Sequence, residues 1–137
     1  MYFLDTNICA YFMSPKYPAV KAQFKLRDPQ DLFVSALVAA ELAYGVALSA
    51  RVEANRKNLD AFLSLLQVVP WDDQAMWHYG EQKARLKKTG AQIGEMDLLI
   101  GCQALALGAT LVTNNMREFE RIEGLQLENW VTPVGHA

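Results

Sequence analysis

Short apolar runs alternate with amphipathic stretches along the whole chain. Tyr2-Phe3-Leu4 predicts a short buried strand, followed by a helix that begins near Thr6 and is stopped by Ser14-Pro15. Val20 to Arg27 suggests a second short helix. Leu32-Phe33-Val34 reads as another buried strand, and Ala36 to Ala50 runs straight on as a helix. From Val52 to Leu66 the apolar residues Leu59, Phe62, Leu63 and Leu66 recur at helical spacing, and Val68-Val69-Pro70 gives a third strand. Asp72 to Lys88 reads as a helix ended by Gly90, Asp97 to Leu107 as a more buried helix ended by Gly108, and Thr110 to Thr113 as a fourth strand. Met116 to Ile122 predicts a short helix closed by Gly124, with Leu125 to Trp130 as an edge strand.

Short apolar strands alternating with helices mean an α/β fold whose parallel sheet is covered on both faces. Four to five strands are expected. No internal repeat, low-complexity tract or linker interrupts the pattern, so residues 1–137 read as a single domain. A chain of 137 residues buries roughly two-thirds of its unfolded surface, enough for a real core. With 52% hydrophobic and 20% charged residues, the composition argues against disorder.

No apolar run approaches the ~18 to 20 residues that a membrane span needs, and the N-terminus lacks the features of a secretory signal. The expected location is therefore cytoplasmic, with no membrane partner. Cys9 and Cys102 are isolated and read as reduced, small apolar side chains. His78 and His136 show no ligand spacing and read as surface or interface histidines.

Three acids stand alone inside these uncharged stretches. Asp5 is the only charge from Met1 to Pro15, Glu41 the only one from Leu32 to Ala50, and after Asp97 no charge follows until Arg117. An ionised carboxylate in such surroundings costs several kcal/mol unless something compensates it. In open parallel sheets the site lies at the carboxyl ends of the strands. Asp5 follows the first strand directly, Asn114 and Asn115 follow the fourth, and Asp97 begins the helix that leads into it. Glu41, with Leu37, Tyr44, Gly45 and Leu48 at helical spacing, falls on a stripe expected to face the sheet.

Carboxylates brought that close repel and raise one another's pKa, so the cluster is stable and ionised only with cations bound. The chemistry that uses such a cluster is metal-assisted phosphoryl transfer, for which Mg²⁺ and Mn²⁺ suit all-oxygen ligands. Other roles remain open at this level. Asp5 and Asp97 each precede a helix and fit N-caps, and Glu41 fits a buried pair with a cation. Asn115 with Glu118 fits a capping box, and Glu95 reads as a solvated loop charge.

Four ordered segments also resemble those of the PIN-domain ribonucleases. They are Leu4-Asp5-Thr6-Asn7, Ala40-Glu41-Leu42-Ala43-Tyr44-Gly45, Ile93 to Ile100, and Val112-Thr113-Asn114-Asn115-Met116-Arg117-Glu118-Phe119. Within that family the chain is similar to the VapC toxins of type II toxin-antitoxin systems. The resemblance implies a three-layer α/β/α fold with a central parallel sheet and Mg²⁺ or Mn²⁺ in an acidic site. It also implies endoribonuclease activity on structured RNA, with transfer RNA the substrate in several members.

By motif position Asp5, Glu41 and Asp97 would bind metal, and the fourth acidic position, usually aspartate, falls on Asn115. Asn115 would share the catalytic site, yet its amide adds no charge, which points to weaker binding of a second ion. Thr6, Asn7 and Thr113 are candidates to cap a helix or to orient these ligands. The resemblance further implies a VapB-like antitoxin, whose carboxyl-terminal segment blocks the acidic site, and a homodimer. Apolar residues such as Tyr11, Phe12, Phe62 and Leu65 offer partner surface, although core packing is their default role.

A net charge of -2 sits oddly with RNA binding, in which phosphate contacts dominate affinity. The cations are grouped, however, as Lys83, Arg85, Lys87 and Lys88, as Lys16, Lys21, Lys25 and Arg27, and as Arg117 and Arg121. Arg117 lies next to the acids and is the candidate phosphate contact. Two other readings compete: a non-catalytic RNA-binding module in which Asn115 marks a decayed site, and a phospho-acceptor domain. The second needs paired acids after the first strand and a lysine near the fourth, and neither is present.

Overall fold

A computed structural model describes residues 1–131; His136 lies outside the described residues. Five parallel strands, β1 (Tyr2–Leu4), β2 (Leu32–Ser35), β3 (Gln67–Val69), β4 (Thr110–Val112) and β5 (Gln126–Glu128), form one sheet in the order β3-β2-β1-β4-β5. The helices are α1 (Thr6–Met13), α2 (Pro18–Lys25), α3 (Ala36–Leu48), α4 (Val52–Leu63), α5 (Met76–Thr89), α6 (Glu95–Leu107) and α7 (Met116–Phe119). This is the α/β/α architecture that the alternating pattern predicts. The chain lays β2 and β3 on one side of β1 and then β4 and β5 on the other. The strand order therefore reverses at β1 and β4, where open sheets place their sites.

The central strands are apolar because both of their faces are covered. Phe3, Leu4, Val34, Leu111 and Val112 are fully buried, and α1 and α6 add Ile8, Cys9, Ile100 and Cys102 to the same core. β3 is an edge strand, and Gln67 and Val68 are exposed. Helix ends follow local chemistry. Asp5 caps α1 by accepting from the Ile8 amide, Ser35 caps α3 by accepting from Leu37, and each such cap is worth ~1 kcal/mol. Gly90 and Gly108 end α5 and α6 at φ 70° and 65°, a left-handed conformation that glycine adopts without steric cost.

Several boundaries differ from the sequence expectation. The stretch from Asp72 opens as a short 3-10 turn, Asp73–Ala75, because Asp72 caps the Gln74 amide; the α-helix starts only at Met76. α6 starts at Glu95 with Gly94 as N-cap, so Asp97 sits inside the first turn and is not a cap. α7 stops at Phe119, short of Ile122. The stripe containing Glu41 does not face the sheet. Val38 and Leu42 do, while Tyr44 and Leu48 are 67% and 69% exposed. α3 is apolar on nearly all sides, so its periodicity carries no signal for which face is buried. Phe62 is buried, Tyr11 and Phe12 pack against the core, and Leu65 is left exposed.

Candidate active site

Asp5 leaves the end of β1 at the centre of the sheet, where its amide donates to the Val112 carbonyl at 3.1 Å. The residue is only 6% exposed. It accepts from the Ile8 amide at 2.8 Å and from the Thr113 side chain, yet burial dominates and raises its pKa, with Glu41 adding to the effect. Thr113, fully buried after β4, also accepts from the Asn115 amide at 2.9 Å. One hydroxyl thus joins the first and fourth motifs.

Glu41 reaches the site from α3. Its Oε1 accepts from the Thr6 hydroxyl at 2.6 Å, which orients the carboxylate toward the start of α1. Asp97 arrives from the first turn of α6 and is half-buried. Its pKa is pushed up to about 6, first by desolvation, then by the charge and hydrogen bond of Glu118, and further by Asp5 and Glu41. Four carboxylates from four segments therefore share one electrostatic environment.

Glu118 is the member that the sequence reading missed. The expected capping box does not form: Asn115 makes no side-chain cap bond. Glu118 Oε1 accepts from the Gly94 amide at 2.7 Å, and its Oε2 accepts from Asn115 Nδ2 at 2.5 Å. Asn115 thus spends its amide nitrogen on Glu118, and an acid stands beside Asp97 although the expected fourth position is neutral. A glutamate three residues after Asn115 at the mouth of the fourth strand was the available signal.

The other candidates separate. Thr6 and Thr113 touch the carboxylates, whereas Asn7 is exposed and makes no side-chain hydrogen bond among the described residues. Glu95 is not a free loop charge: Tyr79 donates to it and Lys83 pairs with it at 3.0 Å, which lowers its pKa. Arg27, Lys83 and Arg85 are spent in ion pairs, and Arg121 donates to the Gln92 carbonyl at 2.8 Å. Arg117 is exposed and has no such partner among the described residues.

No Lys, Arg or His pairs with Asp5, Glu41, Asp97 or Glu118 among the described residues. The acids do not close into a ready-made three-ligand metal cluster either. Several of their oxygens instead accept from neutral donors: Glu41 Oε1 from Thr6, Glu118 Oε1 from Gly94 and Glu118 Oε2 from Asn115. An all-carboxylate donor set of hard oxygens, short of positive charge, nevertheless fits a divalent cation of the Mg²⁺ or Mn²⁺ kind.

An acidic centre at the switch point of a parallel sheet is the setting of phosphodiester hydrolysis, and over residues 2–125 the chain matches the PIN domain. It belongs to the PIN-domain family, in the branch of the VapC ribonucleases. It is 42% identical over 131 residues to Ribonuclease VapC2 of Rickettsia felis, an alignment that covers 95% of this chain and 98% of that protein. To the tRNA(fMet)-specific endonuclease VapC of Salmonella typhimurium it is 36% identical over 129 residues, covering 94% and 97%. Among solved structures, VapBC2 from Rickettsia felis bound to a promoter DNA fragment matches with a TM-score of 0.88 at 42% identity, covering 94% of this chain and 98% of that one. PIN-domain nucleases are in general divalent-metal dependent.

Proposed function

We propose that this VapC-type ribonuclease cuts structured RNA, transfer RNA foremost, at the carboxylate cluster, and that a cognate antitoxin holds it in check. The observation that carries the reading is the convergence of Asp5, Glu41, Asp97 and Glu118 with no cation among the described residues to balance them. Asp5, Glu41 and Asp97 would hold Mg²⁺ or Mn²⁺. A bound divalent cation supplies charge neutralisation at the scissile phosphate and a more acidic water.

The protein's own part is positioning and proton handling. Thr6 and Thr113 fix the carboxylates of Glu41 and Asp5. Without metal, desolvation and the neighbouring Glu118 raise the pKa of Asp97 to about 6, so the pair holds a proton that a bound cation would displace. Asn115 fixes Glu118 through its amide nitrogen. Arg117, exposed beside the fourth motif, gives the RNA backbone a phosphate contact.

Two surfaces fit the partners. A mostly apolar groove between α3 and α4, lined by Ala36, Ala40, Ala43, Leu59 and Leu63 with Arg56 and Asp60, suits an antitoxin segment. Exposed Tyr44 and Leu48 give a second copy of the chain an apolar stripe. Among the described residues no helix is long and apolar enough to cross a membrane, and we place the enzyme's action in the cytoplasm with its RNA.

Cleavage of total RNA by the purified, antitoxin-free protein tests this reading, with Mg²⁺ or Mn²⁺ beside EDTA and Asp5→Ala controls. Discrete fragments that vanish in both controls are expected. Fragments that persist in EDTA or with Asp5→Ala would overturn the metal assignment, and no cleavage by folded protein would favour a binding module.

A further inference from the structure

The loop of residues 91–94 has no regular structure, yet it launches the helix whose first turn carries Asp97. Two side chains three residues apart grip this loop from the other side of the cleft. Glu118 accepts from the Gly94 amide at 2.7 Å, and Arg121 Nη1 donates to the Gln92 carbonyl at 2.8 Å. Arg121 is in turn anchored to α5. Arg85 Nη2 donates to the Arg121 carbonyl, and Arg85 Nε lies 3.2 Å from Glu123 Oε2. Gln82 pairs with both backbone groups of Glu123, accepting from its amide at 3.1 Å and donating to its carbonyl at 3.1 Å. α5, the 121–123 segment, the loop and α6 therefore form a closed circuit.

Packing closes the same circuit from beneath. A Cβ at Gly101 would stand 2.4 Å from Ile122 Cδ1, the tip of a flexible side chain, and 3.4 Å from Phe119 Cδ1, so α6 packs closely on the 119–122 segment here. The start of α6 is thus tied to the 118–122 segment by two polar links, Glu118 to the Gly94 amide and Arg121 to the Gln92 carbonyl, with close packing at Gly101 beneath them. The guanidinium that faces the loop is spent on a neutral carbonyl, while Arg117, four residues earlier, remains exposed.

We propose that Arg121 is a positioning residue for RNA hydrolysis: through the Gln92 carbonyl it holds the loop that launches α6, and so fixes Asp97 in the cleft beside Asp5 and Glu41. This rests on the reading of the acidic cluster as the catalytic site. Removing a group that orients metal ligands typically costs about ten- to hundredfold in metal affinity or activity, and Arg121, one bond further out, falls at the lower end of that range.

The test is Arg121→Ala beside wild type and Arg121→Lys, with Mn²⁺ binding measured on the RNA-free protein and kcat and KM measured on RNA at several salt concentrations. The expected result is Mn²⁺ binding and kcat both weakened about tenfold, with KM and its salt dependence unchanged, and recovery in Arg121→Lys, which keeps one donor for the carbonyl. Gln82→Ala, which releases Glu123 and leaves the Arg121 charge in place, is expected to act in the same direction with smaller size.

A raised KM with a shallower salt dependence and intact Mn²⁺ binding would make Arg121 a phosphate contact and overturn the proposal. So would a lowered melting temperature with unchanged kcat per folded molecule. Wild-type protein that neither binds Mn²⁺ nor cleaves RNA would overturn the catalytic reading and this inference with it. A competent wild type matched by Arg121→Ala would overturn this inference alone.

Discussion

Arg27 and Asp5 are both charges held against the core, and their surroundings are opposite. Arg27 lies between the rings of Tyr2 and Trp130, 4.7 and 4.5 Å from their centroids, and faces Glu128 at 3.5 Å. Its Nη1 donates to the Gln23 carbonyl and side chain at 3.1 and 2.5 Å, and only its buried Nε lacks a partner. Aromatic faces, an anion and acceptors all favour the cation. Asp5 has hydrogen bonds but, among the described residues, no cation, and three more carboxylates share the same cleft. A charge that serves the fold is matched by its neighbours. A charge left unmatched at the switch point of the sheet marks the candidate site.

Substitutions break this contrast in opposite directions. Asp97→Asn is expected to have the largest effect on function. Losing a ligand that supports several kcal/mol of charge stabilisation costs about a hundred- to thousandfold in kcat/KM, while the metal-free protein melts no lower than wild type, since a repelling charge is gone. Arg27→Ala should do the reverse, losing about 2 kcal/mol of stability in urea unfolding while activity per folded molecule is retained.

The pH dependence sharpens the same point. Asp97 is raised from 3.8 to about 6 in the fold, and Asp5 is raised too. The folded state therefore binds more protons than the unfolded chain within that window, so this contribution to metal-free stability is lost as pH rises from about 4 to about 6. Melting curves of wild type minus those of Asp97→Asn should show that fall, and saturating Mn²⁺ should abolish it because metal displaces the proton. Arg117→Ala is the mildest change, with KM raised a few-fold and the salt slope of RNA binding reduced by about one.

The parts of the fold that show in the sequence are those that single segments determine. Tyr2-Phe3-Leu4, Leu32-Phe33-Val34 and Thr110-Leu111-Val112 are buried on both faces and so appear as unbroken apolar runs. Asp5, Glu41 and Asp97 stand out for the complementary reason, as single charges in apolar stretches. The face of α3 does not show, because apolar residues on every side leave its orientation to α4 and the sheet. The start of α6 is hidden because Gly94 offers no capping side chain. Glu118 shows in the sequence only as a capping-box partner of Asn115, among Arg117, Glu120, Arg121 and Glu123, and not as a member of the site. Its role comes from Gly94, 24 residues earlier in the chain, and a pairing at that distance leaves no local pattern.

Mn²⁺ binding to the RNA-free protein, followed by electron paramagnetic resonance in wild type and Asp5→Asn, tests most directly whether the unmatched carboxylates form a metal site. Saturable binding in wild type and its loss in Asp5→Asn is the predicted result. Equal binding in both proteins, or RNA cleavage that survives in EDTA, would contradict it.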